Sequence, residues 1–293
     1  MSYCSPSVEG SDKFLDVDFM SYAEQHGAEM EDGKLGFGWV PDSDDDLMAA
    51  TPFEAVEDLI PEAEWKDRIA ELDADPHGGI ERWIRHIFNQ GREPSCTHNA
   101  SAQGLFLGQA RVFGPDFAVV TSPISSYRWN GTRYSGSSVA GALNWLREVG
   151  QLPARTEENL AHVAAGWFKH THPFTGYGEP FQDGWKDTAK LLRVDEYLKL
   201  TSVEAWVTAS IKGYPCIGGR NKHCICHVRP VWDGGIFSDY VNSWGNWGFE
   251  RQIWTGTSKG FGRDSRNKIA TMTARGAWAV RSVYVPPWYS VVA

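Results

Sequence analysis

The sequence predicts an α+β fold of two lobes, one helical and one an antiparallel β-sheet or barrel, with a groove between them. Two patterns carry this expectation. In the first half apolar residues recur three and four positions apart, most clearly at Val139, Ala142, Leu143, Leu146 and Val149. Past residue 223, short runs rich in aromatic and β-branched residues take over, as in Ala277-Trp278-Ala279-Val280-Arg281-Ser282-Val283-Tyr284. The stretch after Pro173 holds Gly176, Gly178, Pro180 and Gly184 and reads as loop, suited to a groove wall.

The elements follow in order. Ser95 is a good N-cap for a helix continuing through Thr97 and Leu105, whose small residues permit close packing inside a domain. Ser137 or Ser138 caps the amphipathic helix, and Gly150 stops it. Thr156 caps a shorter helix through Leu160, Val163 and Ala164, and residues 201–207 form another. Residues 218–222 read as a loop. Strands are expected at 224–231, 237–244, 250–255 and 276–285, and residues 259–265 as a flexible, basic-leaning loop. No internal repeat is visible.

Three separated motifs suggest one site. Asn89-Gln90-Gly91-Arg92-Glu93-Pro94-Ser95-Cys96 puts a cysteine at a helix start, where the helix dipole favours a thiolate and the first N–H groups lack partners within the helix. Thiol attack on a carbonyl also needs donors for the oxygen that becomes anionic, and a glutamine amide can join the cysteine N–H in that task. His223-Cys224-Ile225-Cys226-His227 supplies two histidines as candidate bases, His223 at a loop-to-strand junction and His227 within the strand. Tyr240-Val241-Asn242-Ser243-Trp244-Gly245 supplies an amide that can fix an imidazole tautomer.

These segments resemble the papain-like cysteine peptidases, and a bacterial or phage-type branch more than the secreted, disulfide-braced one. That family spaces its histidine and asparagine about 130 to 150 residues after the cysteine; here the steps are 127 and 146. Residues 59–66, 122–127, 136–143 and 213–219 are similar to further segments of the family, so the resemblance runs from about Ile60 to at least Trp254. It implies a peptidase with Cys96 as nucleophile, His223 as general base and acid, Asn242 as orienter and Gln90 as oxyanion donor. Trp244 and Trp247 would shield the histidine–asparagine pair from water. No cofactor is implied. Departures are Glu93, which replaces a family cysteine and removes a disulfide, and Lys222, whose charge before the histidine would disfavour an imidazolium.

Charge divides the chain. Residues 1–59 carry 15 Asp and Glu against 2 Lys, which leaves residues 60–293 at +4 within an overall −9. The expected organisation is an acidic extension over 1–59 and a peptidase domain over 60–293. The extension is either a solvated arm or one that docks on the basic body or on a protein partner, occluding the groove or anchoring an assembly. It lacks the long charged-apolar helix of a usual inhibitory propeptide.

Several function classes recede. No apolar stretch has the length to span a membrane, and Met1-Ser2-Tyr3-Cys4-Ser5 has no signal-peptide character, so a cytoplasmic or virion-associated protein is expected. The acidic balance, without a basic-aromatic stripe, argues against nucleic acid. On one strand Cys224 and Cys226 face opposite to His223 and His227, which argues against zinc. Peptide or protein is the expected substrate. Alternatives are a papain-like fold used as a structural or assembly protein with weak or no hydrolysis, and an amidase acting on cell-wall peptides.

Overall fold

The computed structural model describes residues 10–26, 37–75, 78–130, 136–287 and 289; Met1 to Ser5 lie outside them. Ten α-helices occur among the described residues: α1 (Phe19–His26), α2 (Asp44–Ala49), α3 (Glu62–Ala74), α4 (Cys96–Phe113), α5 (Pro123–Asn130), α6 (Val139–Glu148), α7 (Glu157–Ala164), α8 (Trp185–Ala189), α9 (Val203–Ile211) and α10 (Arg266–Thr273). Seven strands form one sheet: β1 (Val194–Lys199), β2 (Cys216–Arg220), β3 (His223–Trp232), β4 (Ile236–Val241), β5 (Phe249–Ile253), β6 (Gly256–Ser265) and β7 (Ala277–Val283). Their order is β1-β7-β2-β3-β4-β6-β5, and every pairing is antiparallel.

The sheet is open, not a closed barrel. Its outer strands meet other segments of chain: Lys199 at the end of β1 takes the Thr51 carbonyl, and Trp254 just after β5 takes that of Ile84.

Helix α4 lies against one face of the sheet, and the small residues in its sequence explain how. A β-carbon at Gly104 would sit 2.9 Å from Ile217 Cδ1, and one at Gly108 2.7 Å from Val283 Cγ1. On the opposite face, α9 and α10 bring Trp206 and Met272 against Gly218. Caps fall where the sequence places them: Ser138, Thr156 and Ser202 each accept the N–H three residues on. Ser95 differs. Helix α4 begins directly after it, but its hydroxyl takes the Asn99 Nδ2 instead of a backbone N–H.

Two sequence expectations fail outside the site. Residues 259–265 are not a loop but most of β6, with Phe261, Arg263 and Asp264 buried. Its glycines hid it from propensity reasoning, and one is required by packing: a β-carbon at Gly262 would lie 2.3 Å from the Tyr240 hydroxyl. Residues 218–220 belong to β2, and the loop shrinks to Asn221-Lys222, both at positive φ, as a two-residue hairpin turn requires.

The described parts of the acidic segment, residues 10–26 and 37–59, lie on the body. Asp16 accepts from the Ser265 N–H and hydroxyl, and Arg220 donates to the Val17 carbonyl at 2.6 Å. Asp42, buried, accepts from the Ala140 N–H at 2.7 Å and the Trp278 indole at 2.8 Å. Glu57 meets Lys212 and Arg281, each at 2.8 Å. Burial works to raise its pKa, but hydrogen bonds from Lys212, Arg281 and Tyr214 outweigh this and bring it down to about 2. The run Asp44-Asp45-Asp46 forms the first turn of α2, where carboxylates suit the dipole.

Candidate active site

Backbone pairing brings two of the motifs together. Asn89 bridges Trp244, the Gln90 N–H meets the Ser243 carbonyl at 2.9 Å, and the Gly245 N–H meets that of Phe88 at 3.0 Å. Gly245 turns here at φ 59°, close against Asn89. The Ser243 hydroxyl donates to Gln90 Oε1, and Gln90 Nε2 donates to the Glu93 carbonyl at 2.8 Å. The amide is thereby fixed with its oxygen toward Ser243 and its nitrogen toward the loop that leads to Cys96.

Glu93 has a structural task of its own. Its carboxylate accepts the N–H groups of Gly176 and Tyr177, at 3.4 and 3.2 Å, tying the glycine-rich stretch after Pro173 to that loop. A hydrogen-bonded tie thus stands where the family resemblance would put a disulfide.

His223 opens β3, and its Nε2 lies 2.7 Å from Asn242 Oδ1. The same oxygen accepts the Ser243 N–H at 2.7 Å, which holds the amide in one orientation. His223 Nδ1 is buried and has no hydrogen-bond partner. Cys96, the first residue of α4, has its thiol beside the N–H of Cys224, the residue after His223. The cysteine at the helix start and the start of β3 therefore face each other across the junction of the lobes.

Trp244 stacks on the imidazole with ring centres 4.5 Å apart. Trp247 stands one ring further out, edge-on to Trp244 at 5.7 Å. His227 sits elsewhere, in a buried cluster with Ser238 at 2.9 Å, Asp264 at 3.5 Å and the Trp206 ring. Asp264 also holds Arg220 through two nitrogens, at 2.5 and 3.1 Å. Cys224 and Cys226 pack with the α4 side of the core, away from Ile225 and His227. No group of three metal-ligating side chains occurs among the described residues.

The sequence left an arm that occludes the groove as one of two alternatives, but did not name the residues that form the cover. Cys96 and His223 have no exposed surface. Phe19 packs edge-on to His223 at 4.8 Å and Phe37 at 5.9 Å. The N–H groups of Gly38 and Trp39 both donate to the Lys222 carbonyl at 3.1 Å, while Gly38 O and Val40 N pair with Ser137. Gly38 fits because a β-carbon there would overlap the Pro94 carbonyl. Residues 37–40 thus run as an extended strip through the groove.

Burial sets the electrostatics. It lowers the His223 pKa to about 3, against the hydrogen bond that Nε2 donates to Asn242 and with help from the Arg220 charge. The cation opposing the imidazolium is therefore Arg220, not the Lys222 expected from sequence. Burial also raises the Cys96 thiol to about 11. In the covered state both groups are neutral at pH 7.

No protein-family model matches the chain, and no curated protein matches it. Solved structures do. Xylellain, a cysteine protease from Xylella fastidiosa, is similar with a TM-score of 0.55 at 16% identity, covering 85% of this chain and 97% of that one. Digestive procathepsin L 3 from the larval midgut of Tenebrio molitor is similar with a TM-score of 0.54 at 13% identity, covering 96% and 95%. The chain has a papain-like fold. At these identities the likeness establishes the architecture, so the chemistry rests on the residues above. No helix among the described residues is long and apolar enough to cross a membrane.

Proposed function

We propose that this chain is a cysteine peptidase held in a self-blocked state, with Cys96, His223, Asn242 and Gln90 as its working residues. The observation that carries the reading is His223: Nε2 on Asn242, and Nδ1 buried, unpartnered and next in sequence to the amide that the Cys96 thiol faces. The papain-like fold supports it.

Once the strip is displaced, water enters and both shifted pKa values relax toward values that permit a thiolate–imidazolium pair. The Cys96 thiol passes its proton to His223 Nδ1, and the sulfur attacks the substrate carbonyl carbon. The Cys96 N–H and Gln90 Nε2 meet the oxyanion. Collapse breaks the C–N bond, the Nδ1 proton leaves with the amine, and a thioester remains on Cys96. A water then gives a proton to Nδ1 and attacks the thioester, releasing the acid and the thiol. Asn242 keeps Nε2 protonated throughout, so that Nδ1 is the basic nitrogen.

The strip at residues 37–40 has the extended form that substrate backbone would take between Ser137 and Lys222, so substrate and strip compete. A peptidyl vinyl-sulfone probe tests the assignment. Stoichiometric labelling of Cys96 is expected after the strip is displaced, lost in His223→Ala and retained in His227→Gln. A wild-type chain that never labels would point to the assembly role instead.

A further inference from the structure

We propose that Gln103 is a positioning residue that holds the Asn242 amide in place through one buried water, and that a small cavity between α4 and the end of β4 is the site of that water. The inference rests on the peptidase reading above and deepens it, because the hold on Asn242 decides which nitrogen of His223 carries the proton.

Helix α4 has Cys96 as its first residue, and Asn99, Ala100 and Gln103 follow three, four and seven positions on, along the same stripe. These three form one wall of the cavity, and Cys224, Asn242 and Ser243 are among the residues that face them. The volume is about 10 Å³, room for one water.

Two of the lining side chains carry complementary polar atoms that nothing else engages. Asn242 is 2% exposed, and its Oδ1 accepts from His223 Nε2 and from the Ser243 N–H, both at 2.7 Å. Its Nδ2 is buried and has no hydrogen-bond partner. Gln103 is 3% exposed, and its Oε1 is buried and unpartnered in the same way. The neighbouring polar groups are committed: Asn99 Nδ2 donates to the Ser95 carbonyl and hydroxyl at 2.9 and 3.0 Å, and the Ser243 hydroxyl donates to Gln90 Oε1. A water here accepts from Asn242 Nδ2 and donates to Gln103 Oε1, which removes the penalty of two unpaired buried groups.

The bridge ties the asparagine to the helix that carries the cysteine. An Asn242 amide released from it turns about its own axis, and Oδ1 leaves His223 Nε2. The imidazole then loses the acceptor that keeps its proton on Nε2, and Nδ1 is no longer reserved for the Cys96 proton.

The test uses the full-length chain labelled with 15N in asparagine and histidine. The Asn242 Nδ2 protons should cross-relax with a long-lived bound water. The signal should vanish in Gln103→Met, which keeps the volume without the amide oxygen, and persist in Gln103→Glu, whose buried acid stays neutral and keeps an acceptor. His223 should carry its proton on Nε2 in the wild type and in Gln103→Glu, whereas Gln103→Met should raise the fraction protonated on Nδ1 about tenfold. With the strip displaced, Gln103→Met should slow saturated vinyl-sulfone labelling of Cys96 about tenfold, with half-saturation changed less than twofold. A purely structural role would move both. A wild-type Asn242 amide without a bound water overturns the proposal, as does a Gln103→Met chain with the wild-type proton position and labelling rate. Should Gln103→Met fail to fold, the wild-type water signal alone decides. A bound water and an Nε2 proton in a wild-type chain that never labels would uphold the bridge and defeat the peptidase reading.

Discussion

Phe19 is the residue on which the cover over the site turns. It is fully buried, packs edge-on to His223 at 4.8 Å and to Trp244 at 5.4 Å, and lies beneath the Arg220 guanidinium at 4.2 Å. Truncating a buried phenylalanine costs about 3 to 5 kcal/mol, and losing a desolvated cation–π contact costs about 1 to 2 kcal/mol, partly within that figure. Nearly all of this falls on the docked state, because the arm is solvated once it leaves. With each 1.4 kcal/mol worth a factor of ten, Phe19→Ala should raise the open population roughly 100- to 4,000-fold. Alkylation of Cys96 by iodoacetamide reads this population, since a buried thiol raised to about 11 reacts only after opening. Cys216 and Cys226 are buried in the sheet and serve as internal controls for global unfolding. A Cys96 rate within threefold of wild type, or equal acceleration at all three cysteines, would refute the reasoning.

Other outcomes follow from the same contacts. Docking holds His223 at about 3 against an ordinary 6.5, so the open state binds more protons between those values and docking weakens as pH falls below 6.5. Asp42 acts with the opposite sign, because burial raises its pKa and acid favours its docked form; the His223 shift is the larger. Cleavage within residues 10–58 by an added protease, corrected for that protease's own pH profile, should be about tenfold faster at pH 4.5 than at 7.5, and His223→Ala should abolish or reverse the difference. Asp264→Ala leaves Arg220 buried without its carboxylate and should cost about 3 to 5 kcal/mol in urea unfolding, and a loss under 1 would contradict the ledger of that cluster. Gln90→Ala should lower kcat on a peptide substrate about 100- to 1,000-fold with KM little changed, whereas a loss under threefold would remove it from the oxyanion site.

The proposed site residues could be named from sequence because they sit in short motifs that resemble a family's: a cysteine at a helix start, a glutamine six residues before it and a histidine at a strand start. The caps at Ser138, Thr156 and Ser202 were legible for a similar local reason. Strand β6 was not, since Gly256, Gly260 and Gly262 answer to neighbours distant in sequence such as Ile87 and Tyr240. Sheet closure is equally non-local, depending on which segments reach the two edge strands. The docked arm was hidden most deeply. The acidic balance hinted at attachment, but the cover is made by Phe19, Phe37, Trp39 and Asp42, each meeting a different part of the body with no periodicity to announce it.

The central claim is that Cys96 and His223 hydrolyse peptide bonds once uncovered. Its most direct test is rapid-quench mass spectrometry of the Phe19→Ala chain with a peptide ester. The account predicts a burst of one equivalent of alcohol and a matching acyl adduct on Cys96, both absent in Cys96→Ala. Hydrolysis that persists in Cys96→Ala, or an ester left untouched while Cys96 alkylates freely, would contradict it.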